Sequence, residues 1–137
     1  MSEFPQQQVT FQINYRVNLG SGLNLYVNPV YKFLGTYYSS FNPDTRSNPN
    51  DREQSWKIPD SHVVDFHLGF SYYLTDFFVK RVNLNFHIFN MLNNSYIVDG
   101  QDGGTSTTNP SLNHTAQLAK VFYSRERWYN VAFAFNF

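Results

Sequence analysis

The 137-residue chain contains no cysteine, which excludes disulfide frameworks and thiolate metal centres. Nor does any stretch approach the roughly 18 consecutive apolar residues of a transmembrane helix. Ten basic and ten acidic side chains cancel, so no global attraction to nucleic acid or an anionic surface is expected. The opening stretch MSEFPQQQ lacks the charged start and apolar run of a secretory signal; an envelope protein with this sequence would have its export address elsewhere. No nucleophile–base pair and no glycine-rich phosphate cradle stands out, and neither enzymatic activity nor a cofactor is expected.

Aromatic residues are what the chain has in plenty. They make up 19% of it, with 14 Phe and 10 Tyr, yet the mean hydropathy is negative because Asn, Gln, Ser and Thr are also abundant. Aromatics diluted evenly with small polar residues suit strands whose two faces meet different solvents.

The pattern along the chain is period two. Val9, Phe11, Ile13, Tyr15 and Val17 alternate with polar residues, which predicts a strand over about 8–17. A short turn at 18–22 carries Gly20 and Gly22, and the next strand is expected over 23–40, with Pro29 marking a bulge or an unpaired position. The polar, proline-bearing stretch 41–61 reads as a long loop. Strands are expected again over 62–74 and 81–92, joined by a brief connection at 75–80. A second long polar stretch then leads to a last strand within 119–137, where Tyr129, Val131, Phe133, Phe135 and Phe137 share one face. The expectation is an all-β antiparallel meander of about five long strands, as one segment with no second domain.

The same alternation fits a soluble β-sandwich or small barrel acting as a binding module, with carbohydrate as one ligand class. Three features favour a membrane wall instead. The strands exceed the usual five or six residues and match the roughly 9–11 that cross a bilayer. Connections alternate short and long, as when each membrane side has its own kind. The non-greasy face carries Asn, Gln, Thr, Ser, Gly and Ala more than Lys and Glu, as a hydrated lumen would. Five strands cannot close, because the smallest membrane barrels have about 8. The chain is therefore expected to form the C-terminal part of a larger transmembrane β-barrel.

Two stretches carry a family resemblance. VNLNFHIFNMLNNSYI (82–97) resembles the penultimate strand of TonB-dependent outer-membrane receptors, with Asn90, Met91, Leu92 and Asn93 at the corner and Tyr96 following. AQLAKVFYSRERWYNVAFAFNF (116–137) is similar to the last strand of that family, closing on a terminal Phe; Ser124, Arg125 and Glu126 depart from its usual Gly-x-Arg corner. The richness in Tyr, Asn and Phe is most similar to the Bacteroidetes branch, which includes starch-utilisation-type importers.

The resemblance implies the outer membrane of a Gram-negative bacterium, a periplasmic C-terminus, and uptake of glycan, peptide, siderophore or cobalamin cargo. It implies as partners the remaining barrel strands, a plug domain, an energy-coupling protein acting through that plug, outer-membrane lipid and, for some members, a surface lipoprotein. It also implies that Phe137, with Phe135, Phe133 and Tyr129, is the signal read by the barrel-assembly machinery. With that orientation both long loops fall outside and both short turns inside.

Other candidates follow from position. Continuing the outward register beyond Tyr129 places Arg127 and Arg125 at the level of lipopolysaccharide phosphates, which guanidinium forks suit. Tyr38, Phe41 and Trp56, near the first long loop, are candidates to stack on a ligand. His62, His67 and His87 fall on the lumen side or above it, with Asp65 nearby; hydrogen-bonded lumen histidines are the expected state, and no metal site is assigned.

Overall fold

The computed structural model describes residues 5, 7–39, 50, 53–75, 78–103, 106 and 108–137. The fold is all-β and antiparallel. Ten strands occur among these residues: β1 (Gln8–Gln12), β2 (Tyr15–Asn18), β3 (Leu23–Leu34), β4 (Tyr37–Tyr38), β5 (Lys57–Ile58), β6 (Ser61–Tyr73), β7 (Arg81–Phe89), β8 (Ile97–Gln101), β9 (Lys120–Tyr123) and β10 (Trp128–Asn136). Among the described residues one 3-10 turn covers Pro110–Leu112. The main sheet runs β1-β3-β6-β7-β10, with β2 also on β3; β4-β5 and β8-β9 are separate two-stranded ladders.

All five expected strands are present, with altered bounds. The first is divided at Ile13 and Asn14, opposite the proline of its partner. The Asn28 side-chain amide fills the gap, donating to Ile13 O (3.0 Å) and Asn14 Oδ1 (2.8 Å), while Ile13 N still donates to Pro29 O (3.2 Å). Pro29 itself sits inside a continuous β3, so the irregularity falls on the neighbouring strand. The last strand is also divided, and residues 124–127 between β9 and β10 are not strand. Two further pieces, β5 and β8, lie where the sequence reads as polar loop.

Residues group into two compact units. One comprises Thr10–Lys32, His62–Asn94 and Arg125–Phe137 and holds most of the main sheet. The other comprises Met1–Val9, Phe33–Ser61 and Ser95–Ser124 and holds the two small ladders. Its buried apolar side chains are Ile58, with no exposed surface, and Tyr37. The Tyr37 hydroxyl donates to Val98 O (3.0 Å), and burial, then the Asp99 carboxylate, then Tyr96 push its pKa above the ordinary tyrosine value.

Register within the main sheet settles which residues share a face. Across β10, β7 and β6 one face consists of four successive rows: Tyr129–Ile88–Phe66, Val131–Phe86–Leu68, Phe133–Leu84–Phe70 and Phe135–Val82–Tyr72. Every member is apolar or aromatic. The other face has Asn130–His87–His67, Ala132–Asn85–Gly69, Ala134–Asn83–Ser71 and Asn136–Arg81–Tyr73. The pairing of β2 with β3 continues the scheme, Tyr15 with Val27 and Val17 with Leu25 on the apolar side.

Burial is inverted relative to a sheet in water. Within the sheet unit the buried strand residues are Asn28, Val30, Val63, Asp65, Gly69 and Asn83, and by parity all belong to the polar face. The apolar face has none, and Phe133 is 66% exposed.

Both ends of the sheet are fastened locally. At one end Gly22 (φ +79°) lies so close to β6 that its carbonyl accepts from Tyr73 N at 3.0 Å. At the other, Asn90 adopts a left-handed φ of 51°, which Asn tolerates better than most residues. Its side chain accepts from Asn94 N and donates to Asn94 O and Arg125 O, while its own N–H donates to Asp65 Oδ1. The corner at 90–93 is thereby tied to the start of β10.

Candidate functional site

The polar face of the sheet is where chemistry-bearing side chains converge. Alternation puts Asp65 and His67 of β6, Lys32 of β3 and Asn83, Asn85 and His87 of β7 on that face. Lys32 Nζ lies 2.7 Å from Asp65 Oδ2, and the other Asp65 oxygen accepts from Asn90 N at 2.9 Å, so this buried carboxylate is fully engaged. Toward the short-turn end, Arg81 Nε and Ser71 Oγ both donate to Asn83 Oδ1, at 2.7 and 2.6 Å. Arg81 lies over the Tyr73 ring and Arg16 over the Tyr26 ring, each 5.4 Å from the centroid. These two arginines flank a cavity of about 580 Å³ that no carboxylate lines. The surface is suited to hold polar solutes by hydrogen bonds from Asn, Ser and guanidinium groups.

Nearer the other end, His67 and His87 are direct register partners, with Nδ1 atoms 2.8 Å apart. They border a cavity of about 480 Å³ completed by Tyr26, Phe89, Trp128 and Asn130. Phe89 and Trp128, also cross-strand partners, stack at 4.1 Å between centroids. Among the described residues no group of three or more His, Cys, Asp or Glu is placed to hold a metal ion.

Of the residues singled out from the sequence, Phe137, Phe135, Phe133 and Tyr129 are all exposed along the apolar side, and Phe137 is 73% exposed. Arg125 and Arg127 lie beyond the register of β10. The guanidinium of Arg125 is 5.4 Å from the Trp128 ring centroid, and Arg127 donates from Nη1 to Met91 O (3.2 Å) and from its backbone N to Asn93 Oδ1 (2.8 Å). Tyr38 and Trp56 lie on the paired segments of the second unit but alternate to opposite faces: Tyr38 pairs with Lys57 and its hydroxyl donates to Gln54 Oε1, while Ser39 N donates to Trp56 O. Phe41 lies outside the described residues. His62 meets the Tyr31 hydroxyl at 2.6 Å through Nδ1 and does not join the His67–His87 pair.

Two pairings escaped the sequence. His114 and Asp102, with side chains 4% and 6% exposed, are joined by a hydrogen bond between Nδ1 and Oδ2 in the second unit. They are separated by a polar, aperiodic stretch that carries no register to count. The sequence placed His67 and His87 on one side without pairing them; the observed register, Tyr73 with Arg81, is what makes them partners.

Compared with protein-family models, with curated proteins and with solved structures, the chain matches none. Its function is therefore argued from the two faces of the sheet.

Proposed function

We propose that this chain is a wall segment of an outer-membrane β-barrel of the TonB-dependent receptor type, serving nutrient uptake and not catalysis. The observation that carries the membrane reading is the inverted burial of the main sheet. Six residues in the four apolar rows, Tyr129, Val131, Phe133, Phe135, Phe70 and Tyr72, are each more than a third exposed. Leaving that surface in water forgoes on the order of 10 kcal/mol of transfer free energy, comparable to the whole stability of a domain. Hydrocarbon removes the penalty.

Strand length agrees. β7 and β10 have 9 residues each, close to the roughly 9–11 needed to cross a bilayer at a tilt. Side chains converge on the inner side of a curved wall and splay on its outer side, which accounts for buried Asn and Asp on one face and exposed Phe on the other. Among the described residues the sheet is open, and β10 pairs with β7 alone. In lipid each unpaired backbone group on such an edge costs several kcal/mol, so closure by further strands belongs to the proposal. The transport part rests on the resemblance at 82–97 and 116–137, which also supplies the plug, the coupling protein and the assembly role of Phe137.

The absence of native cysteine makes the test direct. Single cysteines at 129–136, spin-labelled one at a time, report collisions with oxygen, which concentrates in lipid, and with chromium oxalate, which stays in water. Odd positions are expected to be high in oxygen and low in chromium oxalate, and even positions the reverse. Odd positions closed to both reagents would mean a dry protein interior and would end the membrane reading in favour of a soluble sandwich. A photo-crosslinker on the outer edge of β10 tests the transport half, which fails if the strand captured there belongs to a protein without a plug domain.

A further inference from the structure

We propose that His67 and His87 form a binding site for a divalent transition ion of the borderline class, copper, nickel or zinc, on the polar face of the sheet. The argument needs only the sheet and stands whether or not lipid covers the opposite face.

Two imidazoles on adjacent strands in direct register present their rings side by side on a rigid backbone. Their Nδ1 atoms are 2.8 Å apart. At that separation one nitrogen carries the shared hydrogen and the other accepts it. Neutral imidazole is the form that binds metal. Two metal–nitrogen bonds of zinc type, set at a tetrahedral angle, hold their nitrogens about 3.3 Å apart. The rings therefore need to open by only about half an ångström, through χ rotation, for the ion to replace the shared proton. Once the donor ring moves its Nδ1 hydrogen to its own Nε2, both rings present a bare Nδ1, and an ion between them has two neutral ligands with its remaining coordination positions open.

The surroundings favour this use. The cavity of about 480 Å³ beside the pair gives an ion or its further ligands room. Phe89 and Trp128 wall it, and Phe89 lies edge-on to His67 at 5.4 Å, which restrains the imidazole plane. Among the described residues no lysine or arginine lines the cavity, and Lys32 nearby is paired with Asp65. Asp65, two residues before His67 on the same face, is already held by Lys32 and Asn90 N, so it is engaged elsewhere and the pair stands as the only proposed protein ligands. Imidazole ligands select copper, nickel and zinc over the oxygen-preferring magnesium and calcium. Two protein ligands leave positions for water or for donor atoms of a bound solute.

The test titrates cobalt(II), a spectroscopic stand-in for zinc, into the full chain in detergent micelles and follows the visible d–d bands. One ion per chain is expected. His67→Gln and His87→Gln should each weaken binding at least tenfold, whereas a His62→Gln/His114→Gln double variant should bind as the parent does. Far-ultraviolet dichroism accompanies each titration, and glutamine keeps a polar side chain of similar reach at each position. Absence of the bands in the parent, equal weakening in both groups of variants, or binding that persists when either member of the pair is replaced overturns the proposal.

Discussion

Arginine scanning along the apolar side of β10 gives the sharpest test of what that side touches. The perturbation is a series, Tyr129→Arg, Val131→Arg, Phe133→Arg and Phe135→Arg, with Ala132→Arg as the control one residue away on the polar face. Phe133 sits in the row with Leu84 and Phe70, near the centre of the strand. In lipid, a cation at that depth costs about 2–4 kcal/mol, falling to about 0–1 near either interface. Loss of the Phe side chain from hydrocarbon adds about 1.5–3 kcal/mol, so Phe133→Arg should destabilise by roughly 4–7 kcal/mol. Ala132→Arg, beside Asn85 and Gly69 on the hydrated side, should cost under about 1 kcal/mol.

Denaturant unfolding in lipid vesicles, read by the gel-mobility difference between folded and unfolded barrels, supplies the numbers for the assembled protein. The diagnostic is the profile. A cost that peaks at 131 and 133, declines at 129, and moves when acyl chains are lengthened is set by bilayer depth. A dry protein interior would also reject arginine, but without following acyl length. Equal costs at Phe133 and Ala132, or a profile indifferent to bilayer thickness, would refute the reasoning.

Three other outcomes are expected. Tyr37→Phe should cost about 0.5–1.5 kcal/mol through the lost bond to Val98 O. Because the folded state raises the Tyr37 pKa, its contribution is fully present below the unfolded value near 10.0 and is lost as pH rises through the folded value; the variant should lack that alkaline loss in a pH series of denaturant melts. Gly22→Ala should loosen the β3–β6 end, since the residue has φ +79° and a Cβ there would stand 2.9 Å from Tyr73 O; faster amide exchange at Tyr73 than at Phe66 would register it. Asn90→Ala removes three side-chain hydrogen bonds at the corner, for a loss of about 2–4 kcal/mol, and Asn90→Asp should recover the bond from Asn94 N but neither donated bond.

The strands were legible because alternation is a local property: each of Phe66, Leu68 and Phe70 reports its own face without knowledge of the rest of the chain. Register was less legible: counting outward from a connection at 75–80 would pair His67 with Ile88, one residue away from its observed partner His87. What the sequence hid is what depends on distant partners. The break at Ile13 and Asn14 is settled by Asn28, fifteen residues away from Ile13, and nothing local announces it. The interruption at 124–127 turns Arg125 toward Trp128, where a continued alternation would have placed it outward. β8 was hidden for another reason: Ile97–Gln101 contains only two apolar residues, and its ladder is carried by backbone pairing to β9.

Alternation alone leaves two explanations standing, and strand length supports the proposed membrane wall. To cover four apolar rows as a sandwich, a second layer must span 9-residue strands, which is about 30 Å at the usual rise. The strands among the described residues that lie outside the main sheet have two, two, five and four residues. The longest reaches about 17 Å. Those strands also carry their own pairings, β4 with β5 and β8 with β9. They cannot form the missing layer. A second copy laid face to face would cover the rows, yet it would leave to water a polar face on which Asn83 and Asp65 are already withdrawn from solvent, and it would leave both sheet edges open. The proposed arrangement, lipid on one side and a closed, hydrated interior on the other, would satisfy the rows, the buried polar side chains and the edges together.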